Sequence, residues 1–178
     1  MSAMLETSRL VLREPVMADA EAIAAYLDDF GVAGNLARVP HPYRLGDARA
    51  WLRTRRLGMP PGETNFTIDL SGEGCIGAVG FHQGAYGTII GYWLGRPYWG
   101  QGIMTEAAGQ ALDWFFARSE AQKVLSGVFA FNAASLAVQN KLGFVETGRS
   151  TLHCLARGAD LEHIDTELTR SAWTARER

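Results

Sequence analysis

The chain lacks several of the features that assign a protein to a functional class at once. It has two cysteines in 178 residues, Cys75 and Cys154, which form no C-x-x-C pair, so the sequence predicts neither a disulfide framework nor a zinc site. It has no run of about 18 or more apolar residues that could span a bilayer, and its N-terminus lacks the basic-then-apolar layout of a signal peptide. We therefore expect a cytoplasmic protein with no membrane partner and no bound metal, whose cysteines are small apolar core residues.

An excess of positive charge is missing as well. The 17 Lys and Arg residues are balanced by 19 Asp and Glu residues, whereas nucleic-acid binding needs clustered basic side chains that neutralise phosphates. The densest basic stretch, residues 49–56, falls in a helical pattern and is typical of a solvated helix face, although it could still contact an anionic ligand. We expect no nucleic-acid partner. The hydrophobic share of 47% is enough to bury a core, and we expect residues 1–178 to form a single domain.

Hydrophobic periodicity predicts strands and helices in mixed order. The N-terminal part begins with a period-2 strand over residues 8–13, followed by a helix capped by Asp19 that fades at a turn over residues 28–31. Asp47 is predicted to cap a second helix, which contains Leu57 and stops at Pro60 because proline cannot donate a helical hydrogen bond. Three strands follow, over residues 64–70, 75–81 and 88–94. The glycine-containing turns between these strands predict an antiparallel meander.

The C-terminal half continues with a long Ala-rich helix, Ile103–Arg118, and a strand over residues 123–131. Asn132 is predicted to cap a short helix that ends at Gly143, and a strand resumes at Phe144. A last strand pair, near residues 151–155 and 163–169, flanks a turn. The order β-α-α-β-β-β-α-β-α-β-β predicts an α/β (α+β) fold, with a mixed sheet and helices on its faces.

The segment from Gly91 to Gly102 leads from a strand through a short loop into the Ile103 helix. A helix start has unpaired backbone N–H groups and a partial positive charge, so it can bind a diphosphate. Glycine at positions 100 and 102 would leave room for that ligand. The alternative is that both glycines only form a tight turn. Thr105 stands where the dinucleotide fingerprint needs its third glycine, and no G-x-x-x-x-G-K-[ST] loop is present.

A second pattern, residues 132–144, follows the next strand. Asn132 as helix N-cap, Lys141 in the last turn and Gly143 just beyond it are all favourable for a helix in their own right. A purely structural interpretation of this segment therefore stays open.

Taken together, these motifs resemble those of the GNAT superfamily of N-acetyltransferases. The resemblance depends on the order and spacing of Gly91-Tyr-Trp-Leu, Trp99-Gly-Gln-Gly-Ile-Met-Thr-Glu-Ala and Asn132-x-x-Ser followed by Lys-Leu-Gly-Phe. The opening residues 7–13 also resemble the branch of ribosomal-protein N-terminal (Rim-type) acetyltransferases. The resemblance implies a GNAT-like, mixed and mostly antiparallel central sheet flanked by helices. It also implies that acetyl-CoA is the co-substrate and that a primary amine attacks its thioester directly, without a metal.

The same resemblance assigns roles to residues of this chain. The backbone of Tyr92, Trp93 and Leu94 should pair with the pantetheine arm of the coenzyme, and one of these amides should polarise the thioester carbonyl. Asn132 should bind the pantetheine arm, and Ser135 is a candidate acid for the departing thiolate. The backbone amides of one continuous segment should hold the diphosphate: Trp99, Gly100, Gln101, Gly102, Ile103, Met104 and Thr105.

Three positions depart from the family pattern. Pro97 stands where Gln or Arg often opens the diphosphate motif, and Gln139 stands where many members have a tyrosine acid. Ile89 replaces an acidic residue that often deprotonates the amine, which leaves the general base unassigned. His82 is a possible substitute, although a structural or solvent-exposed histidine is the simpler interpretation. We expect a structural role for Glu106.

Several functions remain compatible with these residues. The acceptor could be a protein N-terminal α-amine or a small-molecule amine such as an antibiotic or a metabolite. The acceptor would be contacted by residues 32–45 and 149–162. The alternatives from other classes are a catalytically weak acyl-CoA-binding module and a nucleotide-binding regulator that uses the turn at Gly100. The oligomeric state, monomer or homodimer, is left open.

Overall fold

The computed structural model describes residues 4–55 and 59–176. Within these residues the strands β1 to β8 are, in chain order, Leu5–Glu6, Leu10–Arg13, Asn65–Leu70, Cys75–Gly84, Gly87–Leu94, Lys123–Phe129, Val145–Cys154 and Ala159–Thr169. They form one eight-stranded sheet in the order β1-β2-β3-β4-β5-β6-β8-β7. All neighbouring strands are antiparallel except β5 and β6. The predicted fold class, a mixed and mostly antiparallel sheet flanked by helices, is confirmed. The helices α1 to α6 are Ala20–Leu27, Phe30–Ala33, Leu45–Arg53, Ile103–Arg118, Ala133–Leu142 and Arg170–Ala175.

The two faces of the sheet are covered by different helices. On one face, α4 packs against the inward side chains of the sheet in a cluster that includes Phe81 and Phe115. On the other face, α1, α2 and α3 form a second cluster around Leu27 and Leu52. Strand β5 contributes to both, since Tyr92 packs against the first cluster and Trp93 against the second. This alternation follows from the period of two along a strand.

Two predicted helix caps differ from the structure. Asp19 does not cap α1 through its side chain. Instead, its carboxylate accepts hydrogen bonds from the Val16 N–H at 2.9 Å and from the Arg13 guanidinium at 2.7 and 2.9 Å. Helix α3 begins at Leu45, two residues before the predicted cap, and Asp47 accepts from the Arg44 N–H at 2.8 Å. Each carboxylate therefore binds a backbone N–H that precedes it in the chain.

Other boundaries also move. The turn predicted at residues 28–31 contains the start of the short helix α2, for which Asp29 is the N-cap. Strand β7 runs from Val145 to Cys154, so the strand predicted after Phe144 and the one predicted near residues 151–155 are a single strand with a bulge. Its partner β8 begins at Ala159, four residues before the predicted start. The predicted helical residue Leu57 lies outside the described residues.

Both cysteines are buried, Cys75 at 5% and Cys154 at 0% exposure, and they are free thiols. Burial raises the pKa of Cys75 to about 12, so this thiol is held in its unreactive protonated form. Across the described ranges no helix is long and apolar enough to cross a membrane. Those ranges also contain no group of three His, Cys, Asp or Glu side chains that could hold a metal ion.

Candidate active site

Strands β5 and β6 separate soon after they meet. The two parallel strands pair at Ile89 and Leu125, after which β5 continues to Leu94 and β6 to Phe129. The gap between them is part of a cavity of about 1830 Å³ that is lined by residues from both faces of the sheet. Because parallel strands in one sheet normally keep pairing along their length, this divergence leaves one edge of β5 without a strand partner.

The free edge of β5 exposes specific backbone groups. The Gly95 N–H donates to the Ile76 carbonyl of the β4 side at 2.9 Å. Since hydrogen-bonded and non-bonded pairs alternate in an antiparallel ladder, the backbone of Trp93 faces β4, whereas that of Tyr92 and Leu94 faces the gap. The Leu94 carbonyl accepts from the Trp99 indole N–H at 2.7 Å. The groups left open toward the gap are therefore the N–H and carbonyl of Tyr92 and the N–H of Leu94.

The loop after β5 ends in a glycine bend at the start of α4. Gly100 and Gly102 have φ angles of 73° and 74°, a region that favours glycine, and a Cβ at Gly100 would meet no atom within 4 Å. The first helical hydrogen bond runs from the Glu106 N–H to the Gly102 carbonyl at 3.1 Å. Among the described residues, none accepts from the N–H groups of residues 103–105. The Trp99 N–H differs, because it donates to the Arg96 carbonyl at 3.1 Å.

Arg9 and Glu106 support this bend from outside. The Arg9 guanidinium donates to the Gln101 carbonyl at 3.1 Å and to the Glu106 carboxylate at 2.8 Å. Burial would raise the pKa of Glu106, but the hydrogen bonds from Thr7 and Arg9 outweigh it and the pKa lies below its usual value. Glu106 thus has the structural contacts expected of it. Sequence reasoning missed Arg9, which lies 97 positions from Glu106.

Asn132, Ser135 and Tyr92 come together at one side of the gap. The Asn132 side-chain oxygen accepts from the Ser135 N–H at 3.1 Å, which makes it the N-cap of α5 as predicted. The Ser135 hydroxyl lies 3.0 Å from the Tyr92 hydroxyl. Burial raises the pKa of the Tyr92 phenol, while the hydrogen bond with Ser135 acts in the opposite direction. The sequence indicated Tyr92 for its backbone only, so its side chain is an addition to the site.

Gln139, at the position where relatives often have a tyrosine, is 1% exposed. Its amide nitrogen donates to the Ser126 hydroxyl at 2.9 Å, and its oxygen accepts from the Thr166 hydroxyl at 2.7 Å. Ser126 in turn donates to the Ile90 carbonyl at 3.0 Å. This chain of hydrogen bonds connects β5, β6 and β8 where β5 and β6 diverge. Gln139 therefore stabilises the point where β5 and β6 diverge. Because an amide does not release a proton at neutral pH, Gln139 does not take over the role of the tyrosine that serves as an acid in many relatives.

On the opposite face of the sheet, His82 lies across from Ile89 in the β4–β5 pair. Its Nε2 atom is 3.5 Å from the Arg38 guanidinium. Burial lowers the pKa of His82, and the neighbouring charges of Arg38 and Arg55 lower it further. His82 is therefore neutral near pH 7 and is a weak proton acceptor.

The β8 strand brings further polar groups to that face. His163 Nδ1 lies 2.8 Å from a carboxylate oxygen of Asp165, which also accepts from the Ser150 hydroxyl at 2.9 Å. Lys123 and Glu167 form an ion pair at 2.8 Å. All five residues line the cavity, as do parts of both segments expected to contact the acceptor, residues 32–45 and 149–162. Sequence reasoning missed His163 and Asp165, although their two-residue spacing in a predicted strand indicates a shared face.

Comparison with known protein families decides the assignment. The family described as "Acetyltransferase (GNAT) domain" matches residues 9–145. The chain belongs to the GNAT acetyltransferase family. A Bacillus licheniformis protein named "Uncharacterized N-acetyltransferase p20" is 29% identical to this GNAT protein over 149 residues, which are 81% of this chain and 83% of the relative. The ribosomal protein uS5-alanine N-acetyltransferase of Escherichia coli is 26% identical over 103 residues, 56% of this chain and 53% of the relative.

A solved structure agrees with the GNAT fold. RimJ from Mycobacterium smegmatis, in complex with CoA-disulfide, superposes with a TM-score of 0.74 at 24% identity, covering 96% of this chain and 87% of that one. The protein is thus a GNAT N-acetyltransferase, of a family that uses acetyl-CoA, and its similar proteins include Rim-type enzymes. Arg96, next to Pro97, donates to the Asp29 carboxylate at 2.6 Å, and its guanidinium lies over the ring of Trp99.

Proposed function

We propose that this N-acetyltransferase binds acetyl-CoA in the gap between β5 and β6 and transfers the acetyl group directly to a primary amine. The observation that carries the proposal is the continuity of the gap with the glycine bend. The open backbone edge at Tyr92 and Leu94 leads along the chain to the unpaired N–H groups at the start of α4. A ligand with an amide-containing arm and a diphosphate matches both ends.

The pantetheine arm would pair with β5 as an added strand does. Its amides would exchange hydrogen bonds with the N–H and carbonyl of Tyr92 and with the Leu94 N–H. Trp93, whose backbone faces β4, would contribute only its side chain, which lines the cavity. The amide group of Asn132 that the N-cap does not use would bind the arm from the α5 side. We assign the polarisation of the thioester carbonyl to one of the β5 amides that face the gap, because such donors stabilise a developing oxyanion.

The diphosphate would rest on the bend and the first turn of α4. The N–H groups there have no acceptor from the described residues, and the helix start adds about half a positive charge. We assign this contact to the backbone of Gly100, Gln101, Gly102, Ile103, Met104 and Thr105. Trp99 would border the site through its ring, which is 41% exposed, since its own N–H is already used.

Acetyl transfer needs a proton for the departing thiolate but no covalent enzyme intermediate. Ser135 would donate that proton, and its hydrogen bond with Tyr92 connects it to a second hydroxyl that can replace the proton. Neither buried cysteine lies where a nucleophile would be needed. We further propose that residues 1–178 act as one catalytic domain, because both helical layers share a single sheet.

For the acceptor we propose the α-amine of a protein N-terminus. Two Rim-type relatives support this choice, and one of them is named for acetylating an alanine of a ribosomal protein. An α-amine also has a pKa near about 8, so it needs less help at neutral pH than a lysine side chain near about 10.4.

A broad amine screen with mass spectrometry of the products tests the proposal. It compares peptides that begin with alanine or serine, the same peptides with a blocked N-terminus but a free lysine, polyamines and aminoglycosides. We expect acetylation of the free N-termini. Faster acetylation of a polyamine or an aminoglycoside would establish the small-molecule alternative. Binding of acetyl-CoA without thiol release across the whole screen would establish the binding module.

A further inference from the structure

Two glycines border the gap on the side of α1, α2 and α3. Gly91 and Gly127 each lie two residues beyond the single paired position of β5 and β6, Ile89 and Leu125. Trp93 packs among these helices, so the odd-numbered positions of β5 face this side. A Cβ at Gly91 would meet no atom within 4 Å. The space over Gly91 is therefore open to an acceptor that approaches the gap from this face.

The space over Gly127 is filled by the ring of His163. A Cβ on Gly127 would collide with His163 Cε1 and would lie 2.8 Å from His163 Nε2. The imidazole can lie against the strand because position 127 has no side chain. This places the Nε2 edge of the ring beside the point where β5 and β6 separate, in the same cavity as Gly91 and Ser135.

Asp165 holds this ring from its other nitrogen. The carboxylate is 2.8 Å from His163 Nδ1 and accepts a further hydrogen bond from Ser150. Since a carboxylate accepts, Nδ1 of the neutral ring carries the proton and Nε2 keeps its lone pair. The described residues provide no hydrogen-bond partner for Nε2. The His163 side chain is 16% exposed and that of Asp165 is 40% exposed, so the pair is sheltered but still reaches solvent.

Nearby charged groups on this face have partners of their own. Glu167 and Lys123, on β8 and β6, neutralise each other at 2.8 Å, and Arg38 from the loop across the cavity lies beside His82. On β6, the Phe129 ring lies nearly perpendicular to the imidazole of His163, at 5.8 Å between the ring centroids. The Phe129 ring and the Asp165 carboxylate thus restrict the orientation of the imidazole from two sides.

We propose that His163 is the general base that deprotonates the acceptor amine, and that Asp165 is its positioning residue. The proposal deepens the proposed function and rests on it. It supplies the base that is missing at Ile89 with the side chain that most often has this role. His82 is less suited, because burial and two arginines lower its pKa.

The proton and electron balance of the step is complete. His163 Nε2 takes one proton from the ammonium form of the acceptor and passes it to solvent, which leaves a lone pair on the nitrogen. This pair forms the N–C bond at the thioester carbonyl while the π pair moves to oxygen. When that pair returns, the C–S bond breaks and sulfur takes a proton from Ser135. The second ammonium proton leaves through His163, and solvent returns one proton to Ser135 by way of the Tyr92 hydroxyl, so one proton is released per turnover.

The tautomer of His163 can be measured without any acceptor. Long-range proton–nitrogen spectra of protein labelled with 15N-histidine resolve the ring nitrogens of the four histidines, and the variant His163→Asn assigns the signals. We expect neutral His163 to carry its proton on Nδ1, and Asp165→Asn to remove this preference. A neutral ring with its proton on Nε2 would overturn the proposal whatever the enzyme acetylates.

Kinetics test the role itself, with an alanine-starting peptide and acetyl-CoA as probes. General base catalysis contributes about 100-fold or more, so His163→Asn should lower kcat by at least that factor, with unchanged acetyl-CoA affinity by calorimetry. Added imidazole should restore part of the turnover of His163→Ala. The control is Asp113→Asn, because Asp113 forms a partly exposed contact with Arg176 at 2.9 Å and does not line the cavity. It should leave kcat unchanged.

The outcomes separate this inference from the proposed function. If wild-type protein acetylates the peptide and His163→Asn retains its kcat, the base is elsewhere although the acceptor is correct. If wild-type protein acetylates another amine, the same variants are compared with that amine. If it binds acetyl-CoA but acetylates none, the proposed function fails, and His163 is then not a base.

Discussion

Replacing Gly100 by valine places a side chain where the diphosphate is proposed to lie. The protein itself has room for it, since a Cβ there meets no atom within 4 Å, so a loss of affinity would report on the ligand. Charge-assisted hydrogen bonds contribute about 1.5–3 kcal/mol each. If the valine prevents one or two of them, about 3 kcal/mol is lost, which at 1.4 kcal/mol per tenfold is about 100-fold in the Kd for coenzyme A. Calorimetric titration with coenzyme A measures this change.

The backbone strain of the substitution needs its own control. Gly100 has a φ of 73°, and a β-branched residue in that region costs about 1–3 kcal/mol of stability. Gly72 has a φ of 88° in the β3–β4 turn and is equally open. Gly72→Val should therefore lower the melting temperature by a similar amount and leave the Kd unchanged. A folded Gly100→Val protein with a Kd within twofold of wild type would refute the proposed diphosphate site, as would an equal loss of affinity in Gly72→Val.

Three further predictions concern the acid that protonates the departing thiolate, the hydrogen bonds of Gln139 where β5 and β6 diverge, and the dependence of stability on pH. Ser135→Ala should slow acetyl transfer at least tenfold with less than a twofold change in coenzyme A affinity, and an unaltered single-turnover rate would assign the acid elsewhere. Gln139→Leu should lower the free energy of unfolding in urea by about 1–3 kcal/mol, because the buried Thr166 hydroxyl loses its partner; a change below 0.5 kcal/mol, on the order of a neutral surface substitution, would contradict this. Burial would raise the pKa of Asp19, but hydrogen bonds from Arg13 and Val16 outweigh it and lower the pKa. Its stabilising contribution is therefore present above the unfolded-state pKa of about 3.9 and lost as pH falls through the lower folded value. Asp19→Asn should destabilise the protein at pH 7 and much less at pH 2, and equal destabilisation at both pH values in urea unfolding would disprove the linkage.

The features that the sequence predicted well depend on neighbouring residues. The bounds of α4, Ile103–Arg118, agree with the prediction because its periodic apolar side and the preceding glycine bend lie within one segment. The β3-β4-β5 meander was predicted for a similar reason, since each pair is joined by a short turn. The capping of α5 by Asn132 and its end at Gly143 are also local.

The features that were missed depend on residues brought together by the fold. Aspartate is a residue type that often caps helices, yet the carboxylate of Asp19 binds the guanidinium of Arg13 from the preceding strand instead. Tyr92 and Ser135 were both chosen, but their contact joins a strand to a helix 43 positions away. From the sequence alone, Ser135 could be recognised only as a single hydroxyl, without its hydrogen bond to Tyr92. His163 was overlooked because its position depends on the empty space at Gly127, on another strand.

The space at Gly127 also has a consequence for the evolution of this enzyme. Any larger residue at position 127 would displace the imidazole of His163 from its place against the strand, so a histidine at position 163 requires glycine at position 127. Among related sequences, a histidine at the position of His163 should therefore co-occur with glycine at the position of Gly127. Related sequences with a larger residue at the position of Gly127 need another general base, and they should have an acidic residue at the position of Ile89.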